Sequence, residues 1–240
     1  MKNKKTPAVI LRSTILWLII GPLTVIYSIN SPILFFVSSK LRHKILCSWG
    51  RIFTWCAKNI CGVKYMVKGK ENIINSPAII ASNHQSMWET ASFVCFFPQH
   101  VWILKKELLK IPFFGWTLRL VSPIAINRSE RTAALHKILH QSVKRIQDGF
   151  WILVFPEGTR APAGELFTFK TGIAKMAINL SLPVIPVAHN AGYCMPKGSF
   201  FLYPGTINVQ IGKPISPLHK QPEELTYEIQ KDIKLMIEKI

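Results

Sequence analysis

Residues 78–90 read AIIASNHQSMWET, a short apolar run followed by polar residues and then by a helical pattern. An apolar run of this length that ends at Ser, Asn and His is typical of a buried strand that leads into a loop. Ser86 and Glu89 have the spacing of a capping box, which marks the start of a helix. The stretch therefore predicts a strand, a turn that contains His84, and a helix whose first turn contains Glu89.

The rest of the chain repeats this alternation of strands and helices. Six further apolar runs are predicted as strands: Tyr65–Val67, Val101–Leu104, Ile124–Ile126, Trp151–Phe155, Val184–Ala188 and Ile207–Ile211. Helical patterns accompany them: Met87–Phe97, Arg131–Gln147, Phe169–Leu180 and Glu223–Ile240. The alternation predicts an α/β fold over residues 61–240, with a largely parallel or mixed sheet flanked by helices. In such sheets ligands bind where the strands end in loops.

The composition is hydrophobic and strongly basic. Hydrophobic residues make up 49% of the chain, which excludes a disordered protein. The chain has 30 Lys and Arg against 12 Asp and Glu, which gives a net charge of +18. This excess indicates an anionic partner, either an acidic membrane surface, a phosphorylated substrate or a nucleic acid.

Residues 1–60 are predicted to attach the protein to a membrane. The run Ser13–Ile29 is apolar and uncharged, but it is marginal in length for a span and Gly21-Pro22 interrupts it. A second apolar run follows at Pro32–Val37, so two short helices that dip into one leaflet fit as well as one span. A buried core helix is the alternative. The basic residues before the first run predict a cytoplasmic N-terminus.

Residues 40–60 space apolar groups at helical intervals between basic residues. This pattern predicts one basic amphipathic helix, which either lies on an anionic membrane surface or packs on the domain.

The cysteines indicate a reducing compartment. They are odd in number and contain no C-x-x-C pair: Cys47, Cys56, Cys61, Cys95 and Cys194. We therefore expect reduced, mostly buried cysteines in a domain that faces the cytosol, and no zinc site.

His84 and Glu89 are candidates for acid–base chemistry. Histidine takes up and returns a proton near neutral pH, and a carboxylate on its far ring nitrogen would hold the tautomer and stabilise the imidazolium. Five residues apart on one helix, the two side chains would lie on different faces. They can meet only if His84 lies in the turn. Alternatively, Glu89 merely caps the helix behind Ser86.

A second polar turn, FPEGTR at residues 155–160, follows the apolar strand 151–154. Its Pro and Gly enforce a turn that presents a carboxylate and a guanidinium at a strand end. Arg160 has the planar paired donors that match a phosphate, and Glu157 could orient Arg160 or bind a substrate hydroxyl. A salt-bridged structural turn is the alternative. Lys105 and Arg128 also lie at strand ends, where they either converge on the same anion or are simply solvated.

The chain resembles the glycerolipid acyltransferase superfamily, and most closely its bacterial 1-acyl-sn-glycerol-3-phosphate acyltransferases. Four blocks of sequence carry the resemblance, in order, over roughly residues 60–215: N-H-x-x-x-x-D (Asn83, His84 and, in place of the Asp, Glu89), the segment Lys105–Arg128, F-P-E-G-T-R (Phe155–Arg160) and the two-proline strand Leu182–Val187. The N-terminal apolar segment also resembles the two-helix membrane anchor of the family. One such block would be weak evidence, whereas four in order are specific.

The resemblance implies acyl transfer from acyl-CoA or acyl-carrier protein to the 2-hydroxyl of lysophosphatidic acid, at a bacterial inner membrane with the catalytic domain facing the cytoplasm. His84 would be the general base, and Glu89 would orient it. Six residues would bind the acceptor: Lys105, Arg128, Glu157, Gly158, Thr159 and Arg160. The resemblance implies no metal and no cofactor other than the acyl donor, and the partners would be these substrates and anionic lipids rather than nucleic acid.

Three alternatives stay open at this point. The charge and the aromatic residues would also suit a membrane-tethered nucleic-acid-binding protein, although the two polar turns would then be unexplained. Glu89 in place of aspartate could mark an inactive scaffold of the same fold. An acyltransferase could also act on another lysolipid or on an amino-lipid.

Overall fold

The computed structural model describes residues 4–126 and 131–240, without the side chains of residues 131–134. The predicted phosphate-binding residue Arg128 lies outside the described residues, so its placement stays a prediction.

Within the described residues, seven strands form one mixed sheet. They are β1 (Val63–Lys68), β2 (Ile79–Ser82), β3 (His100–Lys105), β4 (Ile124–Ile126), β5 (Trp151–Val154), β6 (Val184–His189) and β7 (Gly205–Ile211). Their order across the sheet is β1-β7-β6-β2-β5-β3-β4. The five strands from β6 to β4 are parallel, while β7 is antiparallel to β6 and parallel to β1. Each predicted run overlaps one of these strands, which confirms the predicted fold class.

Helices surround this sheet. The α-helices in the described part of the chain are α1 (Pro7–Asn30), α2 (Ser39–Leu46), α3 (Ser48–Asn59), α4 (Trp88–Ser92), α5 (Phe114–Leu120), α6 (Arg131–Gln147), α7 (Gly172–Leu180) and α8 (Pro222–Ile237). Short 3-10 segments join several of them. The helix predicted at Met87–Phe97 is shorter than expected, because α4 gives way to a 3-10 turn at Phe93–Cys95.

The parallel strands bring the predicted site residues to one edge of the sheet. β2 ends at Ser82, two residues before His84, and β5 ends at Val154, directly before the turn at residues 155–160. β3, on the other side of β5, ends at Lys105. Because neighbouring parallel strands end at the same edge, the two polar turns and Lys105 lie along one side of the sheet.

The N-terminal apolar region differs from its prediction. Gly21 and Pro22 do not interrupt it, because α1 runs through both as one helix of 24 residues. A proline removes a single backbone N–H, and the apolar turns on either side keep their own helical bonds. The segment Pro7–Phe36, which is α1 with the 3-10 turn Ser31–Phe36, is long and apolar enough to cross a membrane by length and composition.

Residues 40–60 form two helices rather than the single predicted one. A turn at Cys47 separates α2 from α3. At this turn the hydroxyl of Ser48 donates to the carbonyl of Ile45 at 2.5 Å. A side-chain hydroxyl that bonds a nearby carbonyl competes with the helical backbone bonds, which is a local reason for the break.

The N-terminal helices share the hydrophobic core of the sheet. Leu16 of α1 and Phe53 of α3 are fully buried in the same cluster as Ile80 of β2 and Leu153 of β5. Burying a side chain of this size stabilises the fold by roughly 1.5–3 kcal/mol. This packing continues across residue 60. The predicted division into 1–60 and 61–240 stays a prediction. The cysteines are free and mostly buried, as predicted.

Candidate active site

The side chains of His84 and Glu89 are in contact. Nδ1 of His84 lies 2.8 Å from Oε1 of Glu89, because His84 is in the turn after β2 and Glu89 is in the first turn of α4. The same oxygen accepts the backbone N–H groups of Gln85 at 2.9 Å and Ser86 at 2.7 Å, while Oγ of Ser86 accepts the N–H of Trp88. The predicted contact is present, and Glu89 holds both the histidine and the backbone that leads into α4.

Glu89 is completely buried, and its surroundings favour the carboxylate. Burial by itself raises the pKa of Glu89, but the nearby His189 ring, the bond from His84 and the N–H of Ser86 outweigh it and hold the pKa below its usual value. All of its hydrogen bonds reach Oε1, and Oε2 has no partner among the residues that the structure describes. A charged, acceptor-only group therefore lies directly behind the histidine.

This arrangement determines which nitrogen of His84 can act as a base. Nδ1 donates its proton to the Glu89 carboxylate, so Nε2 presents a lone pair. No described residue bonds Nε2, and 15% of the His84 side chain is exposed to solvent. The histidine is therefore fixed at one nitrogen and accessible at the other, as a general base requires.

The FPEGTR turn packs directly against the histidine. The imidazole of His84 stacks on the ring of Phe155, with the centroids 3.9 Å apart and the planes 13° from parallel. The backbone N–H of Ala161, just after the turn, donates to the carbonyl of His84 at 2.7 Å. The turn itself closes with a 3.0 Å bond from the N–H of Gly158 to the carbonyl of Phe155, and Gly158 has a φ of +71° that favours glycine.

Glu157 holds backbone rather than pointing towards the arginine of its own turn. Its Oε1 accepts the N–H of His84 at 2.7 Å and its Oε2 accepts the N–H of Phe167 at 2.9 Å. Burial raises the pKa of Glu157, and these two N–H donors oppose the shift. In the described part of the chain, no ion pair joins Glu157 to Arg160. Glu157 thus ties the histidine turn to the segment that follows the FPEGTR turn.

Two of the predicted phosphate-binding residues, Arg160 and Lys105, are described, and they lie at the same edge of the sheet as this cluster without a contact between their side chains. Arg160 is partly buried and Thr159 is exposed, both at the turn after β5, and the carbonyl of Arg160 accepts Nζ of Lys197 at 3.0 Å. Lys105 is exposed at the end of β3. Within residues 4–126 and 131–240, no carboxylate pairs with Arg160 or Lys105, so both cations remain available to an anion at this edge.

Sequence reasoning missed two side chains of the site, those of Phe155 and His189. Phe155 belongs to the FPEGTR motif, but the motif by itself gives it no role. His189 ends β6 and lies fully buried 3.9 Å from Oε1 of Glu89 through its Nε2. The signal that could have found it is the one that found His84, a histidine at the end of an apolar strand.

Comparisons with known proteins agree with this geometry. A family model described as "Acyltransferase" matches residues 64–190, which include both polar turns and β6. The 1-acyl-sn-glycerol-3-phosphate acyltransferase of Pseudomonas aeruginosa is 44% identical over 183 residues, covering 76% of this chain and 70% of that protein. The Saccharomyces cerevisiae enzyme of the same name is 33% identical over 71% of this chain and 58% of its own length.

A solved structure extends the similarity to the N-terminal helices. The crystal structure of the 1-acyl-sn-glycerophosphate (LPA) acyltransferase PlsC from Thermotoga maritima matches with a TM-score of 0.80 at 26% sequence identity. The match covers 96% of this chain and 95% of that protein, so it includes the α/β core and most of the region before it.

Proposed function

The chain belongs to the acyltransferase family, and we propose that it transfers an acyl group from acyl-CoA or acyl-carrier protein to the 2-hydroxyl of 1-acyl-sn-glycerol 3-phosphate. The product would be phosphatidic acid, a precursor of phospholipids. The names of its relatives support this reaction. The single observation in the structure that carries the proposal is the 2.8 Å contact of His84 with a buried carboxylate, which leaves the other ring nitrogen accessible.

The proposed chemistry is direct transfer without a covalent enzyme intermediate. Nε2 of His84 accepts the proton of the 2-hydroxyl while the hydroxyl oxygen bonds to the thioester carbonyl carbon. The resulting tetrahedral intermediate expels the thiolate, and the imidazolium returns its proton to the sulfur. Glu89 stabilises the transient imidazolium and keeps Nδ1 protonated. Because the base, the hydroxyl and the thioester account for every bond and proton, the proposal requires no metal and no cofactor beyond the acyl donor.

Acceptor binding is proposed for the cations and the turn at the same edge of the sheet. Arg160 and Lys105 are described there, and Arg128 is retained from the sequence resemblance. Gly158 and Thr159 would present the turn to the glycerol phosphate. The phosphate binds at a distance from the reacting hydroxyl, and this binding positions the hydroxyl against His84. Binding energy is thereby used to orient the reacting group. Glu157 is better assigned to the backbone of His84 than to the substrate, since both its oxygens are already engaged.

Membrane attachment through the apolar segment Pro7–Phe36 suits substrates that carry acyl chains. We propose attachment to the bacterial inner membrane with the catalytic domain in the cytoplasm, where the net charge of +18 favours anionic lipids. Flotation of the purified chain with vesicles tests the lipid preference. Equal binding to neutral vesicles and to vesicles with anionic lipid, at low and high salt, would contradict it.

Acyl transfer is tested with the full chain in detergent or vesicles, labelled acyl-CoA or acyl-carrier protein, and lysophosphatidic acid. Turnover should fall about 10²- to 10⁴-fold in His84→Ala, with the unfolding temperature unchanged. His140→Ala, a change at an exposed histidine of α6, is the matched control and should retain parental turnover. Faster transfer to another lysolipid or to an amino-lipid would change the acceptor. No transfer to any acceptor, together with salt-dependent binding to nucleic acid, would overturn the proposal.

A further inference from the structure

We propose that His189 is a positioning residue for the reaction, which holds the peptide bond before the catalytic histidine by donating from Nε2 to the carbonyl of Asn83. This inference rests on the proposed acyl transfer and adds a residue to it. His189 lies at the end of β6, next to β2, and is completely buried.

His189 and Asn83 form a closed set of hydrogen bonds between the ends of β6 and β2. Nε2 of His189 lies 2.8 Å from the carbonyl oxygen of Asn83. The N–H of His189 donates to Oδ1 of Asn83 at 3.0 Å, and Nδ2 of Asn83 donates to the carbonyl of His189 at 2.9 Å. The last two of these bonds tie the strand ends together, but only the first reaches the peptide bond that precedes His84.

The hydrogen bonds of the ring determine its tautomer. The N–H of Ala191 donates to Nδ1 of His189 at 3.2 Å, so Nδ1 is an acceptor and the ring proton is on Nε2. Burial, the largest influence, lowers the pKa of His189 and favours this neutral form, although the Glu89 charge and the Asn83 carbonyl oppose the shift. The two nitrogens therefore differ in role, since Nδ1 accepts from Ala191 and Nε2 donates to Asn83.

The consequence concerns the peptide unit that joins Asn83 to His84. Its carbonyl accepts from Nε2 of His189 and also from the hydroxyl of Ser82 at 3.0 Å, and its N–H donates to Oε1 of Glu157 at 2.7 Å. Ser82 precedes the amide on the same strand, whereas His189 and Glu157 hold its two polar atoms from two distant segments. The amide plane determines the direction in which His84 leaves the backbone, so a tilt of the plane displaces the imidazole from Glu89 and from the reacting hydroxyl.

His189 does not itself reach the reacting atoms. Its side chain has no exposed surface, and both ring nitrogens already have partners. Its Nε2 donates to Asn83 and also lies 3.9 Å from Oε1 of Glu89, so the positive end of the ring is close to the buried carboxylate and stabilises its charge. The residue acts through Asn83 and Glu89, and its loss should lower kcat rather than substrate affinity.

Two conservative substitutions separate the roles of the two nitrogens. His189→Gln can place an N–H near the position of Nε2 but has no acceptor for Ala191, whereas His189→Asn can offer an acceptor near Nδ1 but cannot reach the Asn83 carbonyl. We expect His189→Gln to keep kcat within about fivefold of the parent. We expect kcat of His189→Asn and His189→Leu to fall about 100-fold, the size of effect that a small misplacement of a catalytic group produces.

The measurements are kcat and KM for both substrates, together with the unfolding temperature of each variant in detergent. Supporting results are KM values within about twofold of the parent in every variant, and a kcat order of parent, Gln, then Asn and Leu. The unfolding temperatures should follow a different order, with Gln no more stable than Asn because it leaves the N–H of Ala191 unpaired. Activity and stability would then depend on different nitrogens of the same ring.

Several outcomes would overturn the inference. Parental kcat in His189→Leu would show that the Nε2 bond is not needed. A folded His189→Gln as slow as His189→Leu would show that the N–H donor is not the reason. Losses of kcat that simply track unfolding, including failure of the Asn and Leu variants to fold, would make His189 a structural residue alone. Absence of acyl transfer in the parent chain would instead overturn the proposed function.

Discussion

The side-chain oxygen Oε1 of Glu157 accepts the backbone N–H of His84 at 2.7 Å, so the FPEGTR turn holds the backbone of the histidine. The sequence pattern placed Glu157 beside Arg160 or the substrate. The observed bond instead makes the two polar turns one unit, in which the turn after β5 sets the backbone of the turn after β2.

This relationship predicts that Glu157 affects turnover more than acceptor binding. In Glu157→Gln the side-chain amide can accept one N–H, but its NH₂ group then faces the other N–H donor. We expect kcat to fall about 10- to 100-fold with little change in the acceptor KM, since the histidine is displaced but the phosphate site is intact. Glu165→Gln, which removes the charge of an exposed glutamate close in sequence, is the matched control. A raised acceptor KM at parental kcat would restore the substrate-binding role.

Substitutions at Glu89 separate its charge from its length. Glu89→Gln keeps the size but removes the charge that stabilises the imidazolium, and kcat should fall about 10³-fold or more. Glu89→Asp is one methylene shorter, so the backbone or the rotamer must adjust before it can reach Nδ1 of His84 and the N–H groups of Gln85 and Ser86. We expect kcat to fall about tenfold in the aspartate variant. An inactive parent that gains turnover in the aspartate variant would favour the alternative in which Glu89 marks an inactive scaffold.

The sequence predicted most of what lies in the sheet and in the first polar turn. The length of each apolar run and the residues that flank it were sufficient to predict the strands, because each strand is a short apolar run with a polar end. Such a run can be buried only between helices. The contact of His84 with Glu89 was predictable for the same local reason. A capping box places the glutamate in the first helical turn, and a histidine two residues before the box, in the turn, can then lie within reach.

The contacts between distant segments were not predictable in the same way. Glu157 and His84 are 73 residues apart, and His189 and Asn83 are 106 apart. Their bonds depend on which strands are neighbours, β5 and β6 on either side of β2, and no periodicity in the sequence gives that order. The prediction at Pro22 failed for the opposite reason. The local rule that a proline interrupts a helix was applied there, but the apolar turns on both sides were sufficient to continue the helix.

Arg160 is predicted to act on acceptor affinity. Arg160→Ala should raise the KM for lysophosphatidic acid about tenfold or more while kcat changes less, because paired guanidinium donors match a phosphate. Arg160→Lys should recover part of the affinity, since it restores the charge without the planar pair. Lys213→Ala is the control for charge alone, because Lys213 is exposed and follows β7, which is antiparallel to β6 and therefore leads the chain away from the site edge. An unchanged acceptor KM in Arg160→Ala would contradict the phosphate assignment.

Two buried histidines outside the active site predict how stability depends on pH. Nε2 of His43 lies 2.8 Å from the carbonyl of His100, and both side chains are buried. Burial lowers the pKa of His43 to about 4, an effect that Arg51 reinforces and the bond to His100 opposes. Burial likewise lowers the pKa of His100 to about 4. Both histidines are therefore neutral in the folded protein at pH values where an unfolded chain would protonate them.

The free energy of unfolding should be retained above about pH 6.5 and should fall as the pH is lowered from there towards 4, because the unfolded chain binds more protons in that range. At pH 5 each histidine then lowers the free energy of unfolding by about 2 kcal/mol. Denaturant midpoints at pH 7.5 and pH 5 in detergent measure the loss. His43→Gln can keep the bond to the His100 carbonyl and should lose less stability than the parent between pH 7.5 and pH 5. The exposed change His140→Gln should lose as much stability as the parent. If His43→Gln and the parent lose stability equally, His43 is not neutral in the folded state.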